Sequence, residues 1–153
     1  LQLTTIGNQR VGIAHIVDIK RNMIECLILG DSIAQGVHMF RRECAAYTQV
    51  GINSSKFLKK YSVQRLSAEV VVISLGTNDS DDMNTYENLK KLRKKIEAKR
   101  VYWILPAQFS MQRDHVEMAA AENDDVMIRI PYVSRDGIHP SMAGYSRMAE
   151  ISK

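Results

Sequence analysis

Short apolar runs ending in glycine or proline punctuate the chain. Ile24 to Leu29, broken by Glu25, stops at Gly30-Asp31-Ser32, and Val70-Val71-Val72-Ile73 runs into Leu75-Gly76. Val101 to Leu105 stops at Pro106, Cys44 to Val50 leads to Gly51, and Val126 to Tyr132 carries Pro131 near its end. Runs of this length bounded by turn residues read as strands, and the β-branched one suits a central parallel strand buried on both faces. Between the runs the spacing becomes helical. One helix is predicted from Ser32 to about Arg42, and a second through Phe57, Leu58 and Tyr61, capped by Ser54 or Ser55. A third spans Met83 to Lys99 with Leu89, Leu92 and Ile96 inward, and a fourth lies between Met111 and Glu122. The last starts at Pro140 and turns Met142, Tyr145, Met148 and Ala149 inward. Five strands alternating with helices predict a parallel three-layer α/β/α sheet with right-handed crossovers.

Composition changes this picture little. A chain of 153 residues, 45% hydrophobic and 25% charged, suits one soluble globular domain. No apolar run approaches the length of a membrane span, and Thr4, Thr5, Asn8, Gln9 and Arg10 break any signal-peptide core. Residues 1–22 do not resolve into an element. Val11, Ile13, Ile16, Val17 and Ile19 fit a strand or an apolar extension, so residues 1–22 read as an N-terminal extension and 23–153 as the domain. His15 in this stretch reads as structural.

The net charge of +4 points to an acidic partner only weakly. Lys90, Lys91, Arg93, Lys94, Lys95, Lys99 and Arg100 fall on one predicted helix as its solvated face, and no nucleic-acid-binding motif accompanies them. Cys26 and Cys44 form no metal or Cys-x-x-Cys motif and read as buried, reduced thiols. His38 and His115 sit on predicted helices as surface residues. The acidic run Asp79-Ser80-Asp81-Asp82 lacks the glycine and distal glutamate of a calcium loop, so neither metal nor cofactor is expected.

The chemistry begins at Gly30-Asp31-Ser32. The serine leaves a strand and enters a helix, so its hydroxyl lies at the sheet edge where α/β proteins bind ligands. Its backbone N–H sits at a helix N-terminus. Two later stretches fall at strand ends of the same edge: Gly76-Thr77-Asn78-Asp79 and Asp136-Gly137-Ile138-His139-Pro140. A serine hydroxyl needs a base, and His139 with Asp136 three residues before it supplies one with an orienting acid. Asp31 and Asp79 read as turn-holding residues.

In residue types, spacing and order these three stretches resemble the SGNH (GDSL-type) hydrolases, over roughly residues 26 to 149. The resemblance implies strand order 2-1-3-4-5, a triad of Ser32, Asp136 and His139, and an oxyanion hole of Ser32, Gly51 and Asn78. Around Gly51 the chain departs from the family, with Gln49-Val50-Gly51-Ile52-Asn53-Ser54 where Asn-x-Gly-x-Ser-Gly is frequent. The implied activity is a serine esterase removing a small acyl group, acetyl foremost, from a carbohydrate or other polar substrate. A thioesterase or lysophospholipase would need an extended apolar groove. A silent binding module would have no chemical need for Ser32, Asn78, Asp136 and His139 together. A flavodoxin-like cofactor protein lacks its phosphate-binding fingerprint. Acyl acceptor, compartment and oligomeric state stay open.

Overall fold

A computed structural model of the protein describes residues 23–153. The extension at 1–22, with His15, lies outside the described residues. In chain order the elements are β1 (Ile24–Gly30), α1 (Ser32–Met39), β2 (Ala45–Thr48), α2 (Ser54–Lys60), β3 (Leu66–Ser74), α3 (Thr85–Lys94), β4 (Ile96–Ile104), α4 (Met111–Glu122), β5 (Val126–Ile128) and α5 (Met142–Ile151). The strands form one parallel sheet in the order β2-β1-β3-β4-β5, the order that the family resemblance implies.

The two faces of the sheet follow from the period of two along each strand. Leu27, Leu29, Val71, Ile73, Val101 and Trp103 pack on one face against Phe57 of α2, Leu89 and Leu92 of α3, and Val116 of α4. Their neighbours Cys26, Ile28, Val72, Tyr102 and Ile104 pack on the other against Ile33 and Val37 of α1 and Met148 and Ala149 of α5. Each large side chain fully buried this way contributes about 1.5–3 kcal/mol. Every β→α junction then falls at one edge of the sheet. Among the described residues no helix is long and apolar enough to cross a membrane.

Several boundaries differ from the expectation. The Lys-rich helix ends at Lys94, and Ile96 opens β4 by pairing with Leu66. Ile96 is buried on either reading, so periodicity could not separate them. Arg93 is not solvated with its neighbours: it forms a two-point ion pair with Asp125, which also accepts the Trp103 indole N–H at 2.8 Å. Asn53, rather than a serine, caps α2, accepting the Lys56 N–H at 2.8 Å. β5 stops at Ile128, since Pro131 has no N–H to pair and Tyr132 turns the chain at φ +55°. α5 begins at Met142 behind the Ser141 cap, Pro140 pairs with Val133 instead, and Met142 is exposed.

The cysteines are a correction. Cys26 and Cys44 form a disulfide, with Cα atoms 4.8 Å apart. The register Leu27↔Ala45 sets Cys26 of β1 opposite Cys44, the residue just before β2, at the spacing of adjacent strands. That adjacency is made by the crossover through α1 and is invisible to sequence spacing. His38 is likewise no free surface residue, as its Nε2 lies 3.0 Å from the Cys44 carbonyl oxygen. His115 is half-buried, and its Nδ1 has no partner among the described residues.

Candidate active site

Ser32 owes its position to Gly30. A Cβ at Gly30 would stand 1.8 Å from the Ser74 carbonyl oxygen, and φ is +138°, so only glycine lets β1 approach β3 this closely. The Asp31 N–H then donates to that same carbonyl at 3.0 Å. The Asp31 carboxylate caps α1, its Oδ1 accepting the N–H groups of Ile33 (3.0 Å) and Ala34 (3.4 Å). Ser32 becomes the first helical residue, with a backbone N–H that no helical carbonyl can take.

His139 arrives on a closed loop after β5. Val133 pairs with Pro140, the Ser134 N–H donates to the His139 carbonyl at 2.8 Å, and Gly137, at φ +70°, donates to the Ser134 carbonyl. Inside the loop Asp136 Oδ1 accepts the N–H groups of Ile138 and His139, both at 2.8 Å, and the Ser134 hydroxyl at 3.0 Å. Asp136 Oδ2 lies 2.6 Å from His139 Nδ1, and His139 Nε2 lies 2.9 Å from Ser32 Oγ. With the ring proton on Nδ1, donated in a hydrogen bond to the carboxylate, Nε2 offers a lone pair to the serine hydroxyl. The two backbone N–H groups, then the imidazole, hold the Asp136 carboxyl well below the usual carboxylate range, so it is anionic at neutral pH. Ser134 was missed from sequence; its Ser-x-Asp spacing is the signal of a side chain able to reach back to Asp136.

Asn78 and Gly51 meet through Ile52. The Asn78 side-chain amide donates to the Ile52 carbonyl at 3.2 Å, which uses one of its two N–H bonds. Gly51 adopts φ +77°, and its N–H has no acceptor among the described residues. Asp79 does more than hold its own turn. It is buried and accepts from the Ser54 N–H (2.8 Å), the Ser54 hydroxyl (2.5 Å) and the Thr85 hydroxyl (2.7 Å), tying the loop after β3 to the starts of α2 and α3. Asp81 accepts from Gln112 at 2.8 Å and Asp82 from Ser80 at 2.5 Å.

The structure thus links Ser32, His139 and Asp136 in one hydrogen-bonded chain and joins Asn78 to the Gly51 loop, all at the same sheet edge. Beside them Thr77, Pro106, Ala107, Gln108, Ser110, Gln112 and Ile138 enclose a cavity of about 100 Å³. That is far below the ~300–1,000 Å³ of sites for drug-sized ligands. The side chains of His139 and Asp136 are 40% and 47% exposed, so water reaches the imidazole.

No protein-family model and no curated protein matches the chain. Solved structures do. The C-terminal catalytic domain of peptidoglycan O-acetyltransferase A from Streptococcus pneumoniae, carrying a methylsulfonyl adduct, superposes with a TM-score of 0.54 at 16% identity, covering 84% of this chain and 89% of that one. A GDSL-like lipase from Bacteroides uniformis superposes with a TM-score of 0.56 at 13% identity, covering 86% and 95%. At such identities the likeness speaks for the fold, and with the strand order 2-1-3-4-5 it establishes that this chain has the SGNH (GDSL-type) hydrolase fold.

Proposed function

We propose that the chain is a serine esterase that hydrolyses a small acyl ester, acetyl foremost, on a carbohydrate or similar polar substrate. The observation that carries this reading is the unbroken chain from Ser32 Oγ through His139 to Asp136, at 2.9 and 2.6 Å. Ser32 Oγ attacks the ester carbonyl as His139 Nε2 takes its proton, and the anionic Asp136 stabilises the imidazolium. The oxyanion receives the N–H groups of Ser32 and Gly51 and the Asn78 amide. His139 then protonates the leaving alkoxide, and the same steps with water release the acid and restore the serine. No step calls for a metal or cofactor.

The small cavity beside Ile138 favours short acyl groups over the long chains of a thioesterase or lysophospholipase. A second reading keeps the acyl-enzyme but passes the acyl group to a sugar hydroxyl instead of water. The fold likeness to a peptidoglycan O-acetyltransferase domain favours it, and the exposure of His139 to solvent favours hydrolysis. The disulfide fits an oxidising compartment.

The test is Ser32→Ala against wild type on an aryl acetate, with covalent labelling by a serine-directed phosphonate. The variant should lose nearly all turnover and all labelling; equal turnover by the two proteins sinks the mechanism. A series of acyl lengths tests the cavity. Acetyl and butyryl esters should outpace esters of ten or more carbons, because each methylene gains about 0.8 kcal/mol only where a groove receives it. Adding a glycan acceptor separates the two fates of the acyl group, since acetylated glycan appears only under the second reading.

A further inference from the structure

The mechanism leaves one strongly charged feature unused. Between α2 and α3 runs a groove of about 610 Å³, lined by Lys59, Lys91 and Lys95 with Ser55, Ser62 and Asn88 among them. Leu58 and the aliphatic stems of the lysines form its apolar wall, and no carboxylate lines it. Among the described residues neither Lys59 nor Lys91 has an acidic partner, and Lys95 Nζ donates only to the Ser62 carbonyl, at 3.1 Å. Lys56, Lys60, Lys90 and Lys94 extend from the same two helices and are exposed. Like charges on two neighbouring helices repel, and a bound polyanion relieves the repulsion while releasing its own counterions.

One end of the groove adjoins the candidate active site. Asn88 donates to the Ser54 hydroxyl at 3.0 Å, Ser54 donates to Asp79, and Asp79 follows Asn78 in the chain. Ser55 and Asn88 lie in the first turns of α2 and α3, so this end of the groove faces the sheet edge that carries Ser32.

We propose that this groove binds an anionic polysaccharide, whose acidic groups pair with Lys59, Lys91 and Lys95 while an ester on the same chain reaches Ser32. The second half rests on the esterase reading; the binding does not. The lining favours a polysaccharide over a nucleic acid. It has no aromatic ring on which a base could stack and no arginine fork for bidentate recognition. Its hydroxyl and amide groups match the hydroxyls of sugars.

The experiment uses the full chain and the exposed-residue variant Lys59→Gln/Lys91→Gln. Binding of fluorescent oligogalacturonate and of heparin is followed over a range of salt, with single-stranded DNA of matched charge as competitor. Wild type should bind both polysaccharides, and the variant should bind about tenfold more weakly, its salt slope reduced by roughly one to two. On acetylated polygalacturonate the variant should show a raised KM with kcat unchanged, and on an aryl acetate no change. Equal binding by variant and wild type, failure of wild type to bind either polysaccharide, or preference for the DNA overturns the proposal. Absent aryl acetate turnover alongside intact, lysine-dependent binding would instead remove the esterase reading and leave the groove assigned.

Discussion

The turns at Asp31–Ala34 and Asp136–His139 share one local design in two environments. In each, the aspartate Oδ1 accepts the N–H groups two and three residues on, at 3.0 and 3.4 Å in the first and 2.8 and 2.8 Å in the second. The second oxygen separates them. Asp136 Oδ2 meets the His139 ring and its side chain is half exposed. Asp31 Oδ2 is buried with no partner among the described residues, and burial pushes that carboxyl up to about 6. The same backbone motif thus yields one carboxyl held far below the usual carboxylate range and one that titrates at about 6. Surroundings decide the titration, because removing water penalises the Asp31 carboxylate more than the nearby Ser74 hydroxyl and the backbone N–H groups compensate.

The sharpest way to break this comparison is to give both turns an amide. Asp136→Asn keeps an oxygen for the Ile138 and His139 N–H groups but can no longer accept the hydrogen bond from Nδ1–H. Turnover of an aryl acetate should fall about 10⁴-fold, with the fold intact by circular dichroism. Asp31→Asn should leave turnover within a few-fold, since it touches no reacting atom. Comparable losses in both variants would show that the two turns do the same work.

Asn78→Ala comes next. It removes one proposed oxyanion donor and should cost about 10²–10³ in kcat with KM little changed. A loss confined to KM would reassign Asn78 to ground-state binding.

Smaller effects concern stability. Reduction of the Cys26–Cys44 bond, or Cys26→Ser/Cys44→Ser, frees a segment closed over a separation of 18 residues. The unfolding free energy in urea should drop by about 3 kcal/mol. The cross-link anchors β1, so hydrogen exchange should quicken around the Asp31 turn and not around the Asp136 turn.

The smallest effect is the pH dependence of Asp31. Its folded carboxyl titrates at about 6, above the ordinary aspartate value of 3.8, so the folded state holds the proton more tightly than the unfolded one. Its contribution is therefore full in acid and is lost as pH rises from 3.8 to about 6. Comparing Asp31→Asn with wild type from about pH 4 to about pH 7, the balance should move toward the variant by at most roughly 3 kcal/mol. A constant difference across that range would mean that Asp31 is ionised throughout.

Much of this was legible in the chain because it is local. Strands β1, β3 and β4 announce themselves as apolar runs that must be buried on both faces. Ser32, Asn78 and the Asp136–His139 pair each carry their own turn residues, so their place at strand ends could be read. Ser134 and the Ile52 carbonyl escaped notice because they act through neighbours on the same loops. The end of α3 is not legible in the sequence because Ile96 satisfies a helical stripe and a strand edge equally, and its pairing with Leu66 chooses between them.

What the sequence by itself determined is therefore the alternation of strand and helix, the serine, asparagine, aspartate and histidine of the proposed acyl chemistry, and their order along the chain. These depend on periodicity and turn propensity, which act over a few residues. The tertiary structure alone decided which distant groups touch. Ser32 and His139 stand 107 residues apart yet 2.9 Å from one another, and the register of β1 with β2 brings Cys26 to Cys44. It also decided the protonation of Asp31 and Asp136, because desolvation belongs to the packed environment and not to the motif.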